Sequence, residues 1–205
     1  MLHLFFIANA KRLSNIILCY SHGVMSFYVS EIFYEAPSAY ENEVEEKTFA
    51  FLKENQIPIV RVNCDEAISM DLCKIVSEKL GAEIVKTLLV SNQQHTEFYL
   101  FVTLGGKRFV TKDFSKALGI ARVSFAREEE FQTLLGTKIG AATCFSLLLD
   151  STKNVHFVID EDVLKEDKHG FSDGTRTGYV TVSHVKEMFA LLEAKTGKVA
   201  KIIKV

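Results

Sequence analysis

A mixed α/β (α+β-like) fold, built on a twisted, mostly antiparallel sheet flanked by helices, is the class the sequence predicts, on three observations. Strand-like runs come at hairpin spacing, as in residues 83–91 and 97–104 around the polar turn 92–96. Helical segments interleave with them without a regular strand–helix–strand period, which argues against a doubly wound parallel sheet. Hydrophobic residues make up 48% of the 205, with 16 Phe among them, enough for the core of one domain.

Taken in order, the first 24 residues stand apart. The apolar run 4–8 precedes Lys11 and Arg12, whereas a secretory signal places its positive region first. An extra packed helix, a poorly ordered leader, or a start codon assigned too early would each explain it. Residues 1–24 are expected to carry no chemistry, and residues 25–205 to form a single domain.

Ser38 and Glu41 have capping-box spacing, and Tyr40, Val44, Phe51 and Leu52 lie near one helical stripe. The opposite face carries Glu43, Glu45, Glu46, Lys47 and Lys53, reads as solvated, and would repel an RNA backbone. Residues 57–62 read as a strand. Ser69 can cap a helix with Leu72, Val76 and Leu80 on one face and Gly81 as its stop. After the hairpin, Gly105 and Gly106 turn the chain into residues 107–111. A short helix at 113–119, a strand at 120–125 and a helix at 127–135 follow. Residues 154–159 and 179–182 read as strands, and Ser183 can cap a last helix ending near Lys195.

Composition excludes several classes. The four cysteines, Cys19, Cys64, Cys73 and Cys144, are scattered with no paired spacing. Neither a zinc site nor a disulfide framework is expected, and a reducing, cytoplasmic compartment fits. No apolar run is long enough for a membrane span. The formal charge of −2 leaves any nucleic-acid contact to a local patch; Lys195, Lys198, Lys201 and Lys204 offer one, although a solvated tail explains them as well. Nucleotide-binding loops, hydrolase elbows and zinc motifs are absent, so no metal or cofactor is expected. The carboxylates at 128–130 and 160–162 adjoin expected helix starts, where the helix dipole explains them.

Three segments could carry chemistry. In the run 84–90, period-two alternation sets Lys86 on a face with Ile84, Leu88 and Val90. A buried ammonium is costly without a partner, so Lys86 reads as lining a cavity, with Thr87 beside it as a substrate contact. A lysine snorkelling from a sheet edge fits the pattern equally well. Next, Gly136 and Gly140, followed by two alanines and Thr143, let backbone approach a ligand and offer N–H groups to anionic oxygens; a helix C-cap alone would also explain Gly136. The third is a polar loop over residues 168–177. Cys64 and Cys144, with His95, His156 or His169 as bases, could form a nucleophilic site, but buried structural cysteines are the commoner case.

In this order, the three segments resemble the YbaK/ProX superfamily of aminoacyl-tRNA editing domains, and most closely its free-standing ProX/PrdX-type prolyl-tRNA editing proteins. The likeness covers residue 26 to about 195 and is most specific in residues 28–58, the Lys86 strand and residues 98–126. It implies a trans-editing deacylase of mischarged tRNA, typically Ala-tRNA(Pro), acting on the tRNA 3′ acceptor end, with prolyl-tRNA synthetase as a further partner. It assigns the essential lysine to Lys86, a substrate-binding loop to Gly136, Gly140, Cys144, Phe145 and Ser146, and a second loop to His169, Asp173 and Thr175. The chain departs from the family pattern at Cys144 and Ser146, at Gly170 where proline is usual, and at Asp173 where asparagine is usual. Such changes point to two alternatives: a deacylase for another small residue, such as Cys or Ser, or a non-catalytic relative that binds tRNA or an amino acid.

Overall fold

A computed structural model describes residues 15–20, 23–67 and 69–205. The opening run 1–14, including the apolar 4–8, lies outside the described residues. Strand β1 (Asn15–Tyr20) pairs antiparallel with β2 (Gly23–Tyr28), and the expected boundary at Met25 falls inside β2.

The predicted sheet is present as two connected parts. The larger has five strands in the order β10–β7–β5–β4–β6, made from β4 (Val85–Ser91), β5 (Phe98–Leu104), β6 (Ser124–Phe125), β7 (Val155–Asp160) and β10 (Lys201–Ile203). Its β4–β5 hairpin and β4–β6 pair are antiparallel, whereas β5–β7 and β7–β10 are parallel. The smaller sheet, β3 (Val60–Asn63), β9 (Gly178–Ser183) and β8 (Lys168–Ser172), is antiparallel throughout. A single bridge from Ile84 to Gly170 joins the two. It allows close approach because a Cβ at Gly170 would meet Ile84 Cδ1 at 2.2 Å.

Helices α1 (Glu43–Glu54), α2 (Met70–Leu80), α3 (Thr111–Leu118), α4 (Glu128–Leu135) and α5 (Val185–Thr196) pack around these sheets. As predicted, Ser69 caps α2 and Gly81 ends it in the left-handed conformation at φ 60°. The cap of α1 lies four residues beyond the expected Ser38. Asn42 Oδ1 accepts from Glu45 N at 2.9 Å, while Glu45 Oε2 accepts from Glu41 N at 2.6 Å. Glu45 is therefore buried rather than on the solvated face, because its carboxylate is needed at the helix start.

Other expectations are also corrected. His184, with φ 56°, precedes α5 in place of a Ser183 cap. The strand expected at 120–125 shrinks to its last two residues. The polar loop 168–177 begins as β8, and the lysine-rich end forms β10 instead of a tail. A backbone ladder supplies what those short stretches lack in hydrophobic period.

The main core joins Phe49, Phe51 and Leu52 of α1 to Val85, Leu89, Leu100 and Val102 of the sheet and Phe189 and Leu192 of α5. On the sheet's other face, Val90, Phe101 and Val158 pack with Phe114 of α3. Period two thus holds along β4: Val85 and Leu89 face one layer, Leu88 and Val90 the other.

Candidate active site

Strand β4 has an open edge. β6 pairs only with Val90 and Ser91, and the bridge to Gly170 involves only Ile84. Alternation of an antiparallel ladder turns the backbone groups of Leu89 away from β5, and Leu89 O accepts from Ala126 N at 3.0 Å. Thr87 shares that orientation and presents its N–H and C=O along the open edge.

A cleft of about 320 Å³ runs along this edge. Lys86 and Thr87 line it, with Gly140, Ala142, Ser172 and Tyr179 opposite and Met70, Leu89 and Phe131 as apolar wall. Gly140 takes φ 92°, a conformation that favours glycine. Ser172 joins the walls by donating from Oγ to Ala141 O at 3.2 Å and to Thr175 O at 2.9 Å.

The ammonium of Lys86 donates to Lys107 O and, at 3.4 Å, to Gly105 O. Burial pushes its pKa below the usual lysine value. Among the described residues no carboxylate pairs with Lys86, so its charge is solvated by carbonyl dipoles but not neutralised.

Gly136 and Thr175 line a neighbouring polar cleft of about 300 Å³ with Glu41, Asn42, Thr137 and Arg176. Gly136 also ends α4 at φ 64°, as its helix-cap reading predicts. Arg176 Nε donates to Ile139 O at 2.9 Å, tying the two clefts across the Gly140 segment.

The remaining expected site residues sit elsewhere. Cys144, Phe145 and Ser146 begin a 3-10 turn (Cys144–Leu148), are fully buried, and line neither cleft. The apolar sequence 144–149 drives this segment into the core, so that of the described glycine segment Ile139, Gly140 and Ala142 reach the Lys86 cleft. Burial pushes the thiols of Cys144 and Cys64 up to about 12, leaving almost no thiolate at neutral pH. His169 is fully buried on β8, where its Nε2 donates to Val163 O at 2.9 Å. His95 instead joins Glu130 at 2.6 Å, and His156 stacks on Tyr99.

Asp173 lies beneath the second loop. Its Oδ1 accepts from Thr175 N at 3.0 Å and from Thr175 Oγ1 at 2.8 Å. Burial, reinforced by the nearby Glu45 charge, raises its pKa to about 7, against the pull of Thr175 and Arg61. It shapes the turn that carries Gly174 and Thr175 and lines neither cleft.

The sequence singles out neither Ala142 nor Ser172 within the segments that could carry chemistry, and reads Tyr179 only as part of a strand. Reading 168–172 as a strand would have exposed the signal, since alternation puts His169 and Ser172 on opposite faces.

The lysines at the C-terminal end are mostly engaged. Lys195 pairs with Glu54 at 2.9 Å, Lys204 with Glu161 at 3.1 Å, and Lys198 donates to Thr152 O at 2.6 Å. Among the described residues no group of carboxylates, histidines and cysteines is arranged to hold a metal, and no helix is long and apolar enough to cross a membrane.

Residues 70–189 match the model of the aminoacyl-tRNA editing domain, a span that holds α2, the Lys86 strand, most of the residues lining the two clefts and the start of α5. The chain belongs to this family. Among relatives of the editing-domain family, it is 24% identical over 122 residues to the prolyl-tRNA editing protein ProX of Acetoanaerobium sticklandii, covering 60% of this chain and 74% of that protein. A crystal structure of a candidate trans-editing enzyme for prolyl-tRNA synthetase superposes with a TM-score of 0.60 at 20% identity, covering 81% of this chain and 99% of the other. The hypothetical protein APE2540 does so at 0.58 and 22%, covering 77% and 98%. These structures share the editing-domain fold.

Proposed function

We propose that this editing domain acts in trans as a deacylase, hydrolysing the ester between a small amino acid and the 3′ end of a mischarged tRNA, with Ala-tRNA(Pro) as its preferred substrate. The observation that carries this reading is the meeting of Lys86, Thr87, Gly140, Ala142 and Ser172 around one small cleft with apolar walls. Likeness to ProX supports the prolyl system, and prolyl-tRNA synthetase would then be the source of the mischarged substrate.

Lys86 supplies the un-neutralised positive charge, suited to the terminal phosphate or the ribose side of the substrate. Ester hydrolysis needs a positioned water and relief of developing oxyanion charge, not a protein nucleophile. In this reading backbone N–H groups of the Gly140 segment and of Thr87 would hold the ester carbonyl. The cleft would then act as a second sieve, selecting alanine over proline.

Burial of Cys144 and Ser146 favours a second reading, because the segment expected to supply further donors is closed into the core. In that reading the chain binds charged tRNA without turnover, or accepts a different small residue. Single-turnover hydrolysis of Ala-, Cys-, Ser- and Pro-charged tRNA(Pro), measured beside tRNA binding, separates the readings. Rapid loss of Ala alone supports the proposal. Loss of Cys or Ser in preference moves the substrate, and binding without hydrolysis of any of the four overturns catalysis.

A further inference from the structure

Two lysines approach one turn, and the carboxylates attend to only one of them. Lys107 Nζ lies 2.8 Å from Asp160 Oδ2 and 2.5 Å from Asp162 Oδ2. Asp160 is fully buried at the end of β7, and its Oδ2 also accepts from Thr103 Oγ1 at 2.6 Å. Thr103 is the cross-strand partner of Lys86. The sequence presents Asp160 as one of three acids at a helix start, and it does accept from Asp162 N at 3.2 Å; its burial and its grip on Lys107 come from tertiary contacts.

The backbone of the same lysine faces the other way. Lys107 O, together with Gly105 O, accepts from the ammonium of Lys86. The turn is pressed against β4, because a Cβ at Gly105 would meet Ile84 O at 2.4 Å and Met70 Cε at 2.6 Å. Gly106 N donates to Glu83 Oε1 at 3.4 Å from the other side. The turn is therefore fixed at both ends, by the Lys107 side chain in a buried carboxylate site and by glycine against β4.

The geometry points to Asp160 as a positioning residue for Lys86, acting through Lys107: the buried carboxylate pins the Lys107 side chain so that its carbonyl holds the Lys86 ammonium beside the cleft. The inference rests on the reading that Lys86 meets the substrate. An ammonium has three N–H donors; two are directed to carbonyls, which leaves one for an anionic or hydroxyl group of the substrate. Carbonyls orient the cation without cancelling its charge, whereas a carboxylate would cancel it. Asp160 and Asp162 also neutralise Lys107, so that among the described residues Lys86 alone presents free charge at the edge of the cleft. Burial works against a charged Lys107, but its hydrogen bonds to the two aspartates hold its pKa above the usual value.

The test uses the full chain, with Ala-tRNA(Pro) as substrate and the ¹H–¹⁵N signal of the Lys86 ammonium as a direct readout of the clamp. Asp160→Asn combined with Lys107→Met removes both buried charges, so neither is stranded. The double variant should lose the Lys86 signal to fast exchange and fall on the order of 10-fold or more in single-turnover rate at saturating tRNA, with binding little changed. Lys107→Arg, which keeps both the ion pair and the carbonyl, should restore signal and rate. A folded double variant with an unchanged Lys86 signal overturns the inference, whatever its rate. Loss of the signal with an unchanged rate supports the clamp and overturns instead the role of Lys86 in hydrolysis. Should the double variant not fold, Lys107→Ala removes the pin while Asp160 keeps Thr103 Oγ1 and Asp162 N as donors, and an unchanged Lys86 signal there is equally decisive against the clamp.

Discussion

The carboxylate of Asp173 fills the space beside Gly178 that any side chain there would need. A Cβ at position 178 would lie 1.8 Å from Asp173 Oδ2 and 2.7 Å from Oδ1. Asp173 N also donates to Gly178 O at 3.2 Å, so the two residues close the base of the turn that bears Thr175. Gly178→Ala should therefore destabilise the protein by roughly 1–3 kcal/mol, the range for forcing atoms into a packed interior. Urea denaturation measures it, and an unchanged midpoint would show that the turn yields freely.

Asp173 should also make stability depend on pH. Its folded pKa of about 7 lies above the ordinary value of 3.8, so the folded state keeps a proton that the unfolded state releases. Its contribution is fully present below 3.8 and is lost as pH rises through about 7. Glu45, raised by burial, acts in the same direction, and Arg61 opposes both. Asp173→Asn should flatten the stability profile between pH 4 and 7 without abolishing its slope. Denaturation midpoints at pH 5 and pH 7.5 give the comparison.

Lys86→Ala removes what is, among the described residues, the un-neutralised cation lining the cleft. Single-turnover hydrolysis at saturating tRNA should fall by about 100-fold, the scale for loss of one preorganised electrostatic contact. Full activity in this variant would remove Lys86 from the mechanism.

Cys144 should be chemically silent. Its thiol is fully buried and pushed up to about 12, so a thiol-blocking reagent applied to the folded protein should leave turnover unchanged. Cys144→Ser should lower stability by about 1–3 kcal/mol, because a hydroxyl is costlier than a thiol to bury there. Because Cys73 also lines the cleft, inactivation that persists in a Cys73→Ala background without loss of tRNA binding, with Cys144 labelled, would restore Cys144 as a candidate nucleophile.

The C-terminal strand should matter for stability more than for RNA binding. Ile203 is buried against the Phe114 layer, and β10 pairs with β7. Ending the chain at Ala200 should cost at least the roughly 1.5–3 kcal/mol of one buried aliphatic side chain. Changing Lys195 and Lys204 to Gln should leave the salt dependence of tRNA binding nearly unaltered, since both are already paired with glutamates. A marked drop in that slope would put this surface in the RNA interface.

Much of the fold was legible because it rests on local physics. Ser69, Gly81 and the 3.6-residue spacing of Leu72, Val76 and Leu80 define α2 without reference to anything else. The β4–β5 hairpin likewise follows from two apolar runs and a polar turn. Elements that failed to show are those made by distant partners. β8 is largely polar and β10 is only three residues long, and they become strands because β9 and β7 supply a ladder. Glu45 looked solvated on its helix stripe but is buried as part of the α1 cap.

At the site, the sequence by itself determined that one lysine stands on an apolar strand and that glycines 136 and 140 interrupt the chain after a helix. Local pattern and family likeness suffice for that, since both are written in contiguous residues. Only the tertiary structure decided which neighbours Lys86 has: two carbonyls from the Gly105–Lys107 turn, Ser172 rather than His169 across the cleft, and Cys144 and Ser146 withdrawn into the core. The physical reason is that burial and strand register bring together residues far apart in the chain, and no local spacing encodes that choice.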